Sequence, residues 1–383
     1  MNMYIFVLLS FVLSLCFMPL IIKFCKKREL YDYQSSRKIH SGNIPRIGGI
    51  GIFASFIISS VLFLLLTQRI SIWDNLPILV AALIIFTCGI IDDLKNLPAI
   101  VKLLFQLLAV AIVTFNDYRF TQIFSWHLPT SISYILTFGW ILGVINAYNL
   151  IDGLDGLCGT LTFTALVTLG VLYTLSGNTE ANLCFILAGS VLGFLCFNWP
   201  PAKIFMGDNG SQFLGFMIAT IPLYSSSDVF EYNKFFVMLV LTSFPVFDTV
   251  AAIWRRLREK KDIMSPDRSH LHHKLLNLGY SQKHALYLVA IIQLLLSLSV
   301  ILAHFLGKTN INGNMVSAKG SAVLIEDLVF MLLFFGIIHF TNKKNNLQKQ
   351  AAENVRASEH VNKSSFCKKN SNFGLNKYFF FVN

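Results

Sequence analysis

The sequence predicts an all-α protein that crosses a membrane about eleven times, with its N-terminus outside and its C-terminus in the cytoplasm. Three observations predict it. Of 383 residues, 55% are hydrophobic and only 13% charged, and the mean hydropathy is +0.61; soluble domains carry about 25% charged residues. The apolar residues gather into runs that approach the roughly 20 residues needed to span a bilayer. The basic residues crowd the loops of one side.

Each run can be justified in order. Residues 3–25 stay apolar until Lys23, with no basic residue before them and no small-residue cleavage site. They read as a retained first helix, not a signal peptide. A basic loop over 26–47 leads to a second helix at 48–66. The third occupies 77–91 and ends in Asp92-Asp93; the fourth, 100–115, is short. Trp126, His127 and Pro129 in the next link suit a membrane interface. The fifth helix covers 131–149, the sixth 157–175, the seventh 181–198 and the eighth 211–224. The ninth covers 234–254, the tenth 284–306 and the eleventh 323–340. A membrane domain over 1–341 is thus expected, followed by a Lys/Asn/Ser-rich cytoplasmic tail over 342–383 that reads as disordered.

This topology sorts the charges. Only Arg69, Arg119, Lys234, Lys308 and Lys319 fall outside, leaving 26 of the 31 basic residues inside. Such a split is the orientation signal of a membrane protein. The net charge of +11 is therefore no sign of a nucleic-acid partner. Seven Cys without CxxC spacing indicate neither a disulfide framework nor a zinc site. No internal repeat supports a secondary transporter. The same parity puts four polar constellations on one face, at helix ends, whereas an anionic-solute transporter needs polar groups at mid-depth.

The first constellation is Asn146-Ala147-Tyr148-Asn149-Leu150-Ile151-Asp152-Gly153-Leu154-Asp155-Gly156-Leu157. Asn146, Asn149, Asp152 and Asp155 recur every three residues between two apolar runs. The glycines predict a helix end, a tight turn and a new helix start, with Asp152 and Asp155 on the turn. Acids beside membrane-length runs are costly and point to function. The second is Asp92-Asp93, acids at a helix C-terminus where they oppose the helix dipole. The third is Phe205-Met206-Gly207-Asp208-Asn209-Gly210-Ser211, ahead of an apolar helix. Amides at a helix start favour anions, and Asp208 offers a hard oxygen ligand of the kind Mg²⁺ shares with substrate phosphates.

The fourth is Asp267-Arg268-Ser269-His270-Leu271-His272-His273-Lys274. It lacks the Cys or catalytic Glu of a zinc motif, and Arg268 and Lys274 favour phosphate binding. A further cationic group, Arg37, Lys38, His40 and Arg46, lies in the first loop. Lys102, one turn into an apolar helix, needs an anionic partner, with Asp92 or Asp93 expected. Asp248, late in the ninth helix, is expected to pair with Arg255 or Arg256. Acids for a divalent metal and cations for phosphates, at the cytoplasmic membrane edge, imply phosphoryl transfer from a soluble phosphorylated donor to a lipid acceptor.

These motifs resemble the polyprenyl-phosphate N-acetylhexosamine-1-phosphate transferases. The likeness rests on N-A-Y-N-L-I-D-G-L-D-G-L, F-M-G-D-N-G-S, Asp92-Asp93, S-P-D-R-S-H-L-H-H-K-L-L and R-K-I-H-S-G-N-I-P-R-I-G-G, over residues 37 to 280. It implies a multi-pass protein of the bacterial inner membrane that uses Mg²⁺ or Mn²⁺ on the cytoplasmic face. It would move a sugar-1-phosphate from a UDP-N-acetylhexosamine to undecaprenyl phosphate and release UMP. The His loop most resembles the branch using UDP-GlcNAc for O-antigen, common-antigen or teichoic-acid lipids. The phospho-MurNAc-pentapeptide branch is the alternative. The resemblance makes Asp92, Asp93 and Asp208 catalytic, with the metal on Asp208 and Asp152. It puts Asn146, Asn149, Asp155, Asn198, Phe205, Gly207, Arg268, His270, His272 and His273 on the nucleotide and sugar, with Phe205 stacked on uracil. Lys38, His40, Arg46 and Lys102 would meet the lipid phosphate. Homodimerisation is left open.

Overall fold

The computed structural model describes residues 3–31, 44–67, 72–224, 233–262, 270–306, 308–309, 315–316 and 318–374. Among them are thirteen α-helices, two hairpins of two-residue strands and one 3-10 turn. Helices are the expected outcome, since they satisfy every backbone polar group within one segment where lipid cannot.

α1 (Met3–Arg28), α2 (Gly49–Thr67), α6 (Leu157–Leu175) and α7 (Ala181–Asn198) form one packed group. Ser10 and Ser14 of α1 donate to the Ile186 and Ser190 carbonyls of α7 at 2.6 and 2.7 Å. Such hydroxyl contacts and small side chains let membrane helices approach closely. α3 (Ile72–Lys95), α4 (Ala99–Thr114) and α5 (Thr130–Ile151) complete a ring around α8 (Gly207–Thr220). α8 is buried on all sides from Asn209 to Thr220, as a helix apolar around most of its circumference must be.

The expected ninth segment is two helices. α9 (Lys234–Leu241) and α10 (Ser243–Arg258) meet at Thr242 with a bend of 80°. The physical reason lies in Pro245, in the first turn of α10. Its ring and missing N–H are tolerated at a helix start and break an interior. α12 (Gln282–Phe305) repairs the break, with Gln293 Nε2 donating to the Leu241 carbonyl at 3.1 Å. α10 then turns Val250, Trp254 and Leu257 outward and carries three Arg in its last turn.

α11 (Leu271–Asn277) is a short helix between α10 and α12, and α13 (Ala318–Gly374) packs on α11 and α12. Asn342 of α13 donates to the Lys274 carbonyl at the end of α11, 2.9 Å. The change of composition at residue 341 is not an element boundary. α13 continues as helix through 342–374. That stretch is polar but holds no Pro, and no Gly before its last residue, so nothing interrupts the helix.

Among the described residues eight helices are long and apolar enough to cross a membrane, nine if the bent pair is one span. The other two of the eleven expected segments are α4 and α8, at 16 and 14 residues. The chain is a multi-pass membrane protein.

Candidate active site

The site is built around the first turn of α8. A helix start leaves backbone N–H groups without intrahelical partners. Here the Asp93 carboxylate, from the last turn of α3, takes them. It accepts from the N–H of Asp208 and of Asn209, both at 3.0 Å, and from the Asn209 side-chain amide. Its Oδ1 also accepts from Arg46 Nη2 at 2.8 Å and Nε at 3.1 Å. The Asp93 side chain is 0% exposed. Gly207 makes this approach possible. Its φ is +76°, and a Cβ there would lie 2.0 Å from the Arg46 carbonyl oxygen. Arg46, expected at a lipid phosphate, is thus bound to Asp93, and Asp93 is sealed behind the helix start.

Neighbours on a helix point about 100° apart, so Asp92 looks elsewhere. Its Oδ1 accepts from the Leu97 N–H at 2.7 Å, and its Oδ2 pairs with Lys102 Nζ. Lys102 Nζ lies 3.3 Å from Asp208 Oδ2. The half-buried cation of α4 therefore has its expected partner, and a second one. Asp208 Oδ2 also accepts from Gln212 Nε2 at 3.3 Å and Asn149 Nδ2 at 3.4 Å. Ser211 Oγ donates to Asn149 Oδ1 at 2.8 Å, fixing that amide. An amide relay continues from Gln212 to Gln106 at 3.1 Å and from Gln106 to Asn146 at 3.0 Å. Sequence reasoning missed Gln106 and Gln212. The signal was present: each stands four residues after a site charge, Lys102 and Asp208, on the same helix face.

The predicted turn is confirmed. α5 stops at Ile151 and α6 starts after Gly156, whose φ is +74°. Asp152, on the turn, has its carboxyl pushed well above the ordinary range by burial and by the Asp208, Asp93 and Asp155 carboxylates. Asp155 and Asn198, expected on the nucleotide, are both buried and brace the turn. Asp155 Oδ2 accepts from the Ala202 N–H at 3.0 Å. Asn198 accepts from the Gly156 N–H at 2.9 Å and donates to the Ile204 carbonyl at 2.7 Å. Phe205 is held by its backbone, through the Pro45 carbonyl at 2.7 Å and the Gly48 N–H at 2.9 Å, with its ring half-buried.

The His-rich stretch joins this turn. The His272 ring packs on Gly153, where a Cβ would lie 2.5 Å from its Cε1 and Nε2. His270 and His272 lie parallel with centroids 6.0 Å apart, and His273 tilts against His272 at 4.3 Å. Burial, then the neighbouring His273, lowers the His272 pKa to about 3, so that ring is neutral near pH 7. Asp248 pairs with His270, not with Arg255 or Arg256 as expected from the sequence. The α10–α11 fold brings the imidazole to its carboxylate. Lys38, His40 and Arg268 lie outside the described residues. Among the described residues no three His, Cys, Asp or Glu side chains converge as a ready metal cage. A divalent ion here would take one or two carboxylates and complete its shell with substrate oxygens.

Comparison with known proteins bears on this geometry. Residues 75–226 match the family model described as glycosyl transferase family 4. The chain is 36% identical over 304 residues to a probable undecaprenyl-phosphate N-acetylglucosaminyl 1-phosphate transferase of Bacillus subtilis strain 168, covering 77% of this chain and 83% of that one. It is 33% identical to the decaprenyl-phosphate N-acetylglucosaminephosphotransferase of Mycobacterium leprae, over 68% of this chain and 73% of that one. It is 28% identical to the undecaprenyl-phosphate alpha-N-acetylglucosaminyl 1-phosphate transferase of Escherichia coli K12, over 77% and 82%. The matched span 75–226 contains Asp92, Asp93, the Asp152 turn and Asp208, and the chain belongs to the polyprenyl-phosphate N-acetylhexosamine-1-phosphate transferases of glycosyl transferase family 4.

Proposed function

We propose that this protein transfers GlcNAc-1-phosphate from UDP-GlcNAc to undecaprenyl phosphate, giving undecaprenyl-diphosphate-GlcNAc and UMP, the first lipid intermediate of a cell-envelope polysaccharide. The work is done at the cytoplasmic face of the bacterial inner membrane. The observation that carries the reading is Lys102, set between Asp92 and Asp208 beside the Asp152 turn. The activities for which the relatives are named support the sugar and the lipid class.

A phosphate oxygen of the lipid attacks the phosphorus that bears the sugar. One P–O–P linkage forms, the linkage to the nucleotide breaks, and its electron pair leaves with UMP. An acceptor phosphate monoester has a second pKa near about 6 and is mostly dianionic at pH 7. Proton removal therefore contributes little there, and charge neutralisation and alignment dominate. Lys102 meets the acceptor phosphate, and Asp92 orients Lys102. Asn149, Gln212 and Lys102 hold the Asp208 carboxylate in one orientation. The crowding of carboxylates around Asp152 fits a divalent cation, Mg²⁺ or Mn²⁺, held by Asp208 with Asp152. Bound there, it would supply positive charge to the diphosphate. The His helix covers the sugar-diphosphate end.

The test is a membrane assay with radiolabelled UDP-GlcNAc and undecaprenyl phosphate. Chloroform-soluble label with equimolar UMP is expected. Label transferred only from UDP-MurNAc-pentapeptide would move the protein to the peptidoglycan branch, and no lipid product from either donor would overturn the reading.

A further inference from the structure

Asp248 has so far been given no role in the transfer, yet it is a carboxylate only 1% exposed. It sits on α10, just beyond the 80° bend. Both its oxygens are committed to the His-rich stretch. Oδ2 meets Nδ1 of His270 at 2.8 Å, and Oδ1 accepts from the Leu271 N–H, the first of α11, also at 2.8 Å. His270 is itself 5% exposed. An ionised carboxylate is only an acceptor, so it requires the proton on Nδ1. The far nitrogen, Nε2, is then bare in the neutral ring and a donor in the imidazolium. The same carboxylate anchors α11 by its first N–H. The parallel stack of His270 on His272 carries that anchorage to Gly153 on the Asp152 turn.

We infer that Asp248 is a positioning residue for the transfer: it fixes the tautomer of His270 and the seat of the His helix over the sugar diphosphate. The inference rests on the reading that His270 serves that substrate. A carboxamide at this position keeps the shape and can still accept from Leu271. Its amide would then donate to Nδ1 and drive the proton to Nε2, the wrong-tautomer effect that an Asp-to-Asn change has in Ser-His-Asp sites.

The test uses the full chain in nanodiscs with Asp248→Asn, His270→Ala and the double variant. The expected result is an unchanged unfolding midpoint for Asp248→Asn, with kcat lowered by about 10-fold or more and the KM for UDP-GlcNAc changed less. The double variant should be no slower than His270→Ala alone. Wild-type rates in His270→Ala would remove the substrate role of His270 and leave the inference without its basis. A slow His270→Ala beside a wild-type Asp248→Asn would overturn the inference alone, as would losses that simply multiply in the double variant. Should Asp248→Asn not fold, ¹⁵N-histidine spectra of the wild type decide, with His270→Gln giving the assignment. A proton on Nδ1 is expected, in the neutral ring or the imidazolium. A neutral ring protonated only at Nε2 would overturn the proposal.

Discussion

Asp93 and Asp248 each hold the first turn of a helix that carries site residues, and they do so with different partners. Asp93 takes two backbone N–H groups at the start of α8 and balances its charge on the Arg46 guanidinium. Asp248 takes one N–H at the start of α11 and pairs with the imidazole of His270. A guanidinium stays charged at every accessible pH and offers a two-pronged fork. An imidazole offers the carboxylate a single ring N–H. α8 also lies at the centre of the bundle, buried from Asn209 onward, whereas α11 is seven residues long and sits at its side. The half of the site that carries Asp208 is thus clamped, and the half that carries the histidines is adjustable.

The largest expected effect tests the clamp. Asp93→Asn leaves Arg46 unbalanced and presents an amide N–H to one of the two helix N–H groups, which bond to different carboxylate oxygens. Breaking a buried pair in this way costs about 3–5 kcal/mol. Transfer should fall by at least about 100-fold, and hydrogen exchange at the Asp208 and Asn209 amides should quicken. Arg46→Met should show the same pair of effects. If Arg46→Met instead raised only the KM for undecaprenyl phosphate, Arg46 would belong to the lipid phosphate and the clamp would be wrong.

A smaller contrast separates the two glycine contacts. Gly207→Ala forces a side chain into left-handed backbone, at about 1–2 kcal/mol, and against the Arg46 carbonyl, which cannot yield. Gly153→Ala meets only the His272 ring, which can swing away. Thermal unfolding should register Gly207→Ala clearly and Gly153→Ala much less. Equal shifts would mean the His helix is held as firmly as α8.

The smallest effect is one of pH. Opening α11 exposes His272, whose pKa then rises from about 3 toward 6.5. Above pH 6.5 the ring is neutral in both states. As pH falls below 6.5 the opened segment binds a proton that the buried ring refuses, so closure weakens by about 1.4 kcal/mol per pH unit. Between pH 7.5 and 5.0 the loss is about 2 kcal/mol. Exchange of the α11 amides, corrected for intrinsic rate, should quicken by about 30-fold, and His272→Gln should abolish the change. An equal acceleration at Asp208 and Asn209 would erase the distinction between the two junctions.

Much of this was legible in the sequence. Every apolar run became a helix, because lipid leaves the backbone little alternative, and the four polar constellations met because each closes or opens a helix at one end of the bundle. The pairing of Asp92 with Lys102 followed from the cost of a lone cation in an apolar helix. What stayed hidden was direction. Asp92-Asp93 reads as one pair, but a turn of about 100° separates their side chains, and only the position of α8 shows which acid is sealed. The backbone partners of Asp155 and Asn198, the Ala202 and Gly156 N–H groups, were hidden too, because they belong to backbone that no motif names. The bend at Thr242 was readable from Pro245 as a helix-start signal inside an apolar run.

The Arg46–Asp93 pair also bears on how the chain is made. Asp93 and the Asn209 amide are 116 residues apart. At about 5–20 residues per second, tens of seconds of synthesis at the slow end separate the acid from the helix it will hold. Through that interval α4 to α7 enter the bilayer while the last turn of α3 waits. Arg46 precedes Asp93 by 47 residues and so leaves the ribosome first. Arg46 is itself seated by residues 205 and 206, through the Phe205 N–H to the Pro45 carbonyl and the Gly48 and Gly49 N–H groups to the Phe205 and Met206 carbonyls, so the acid and its counter-ion reach their final places only once the start of α8 has been made.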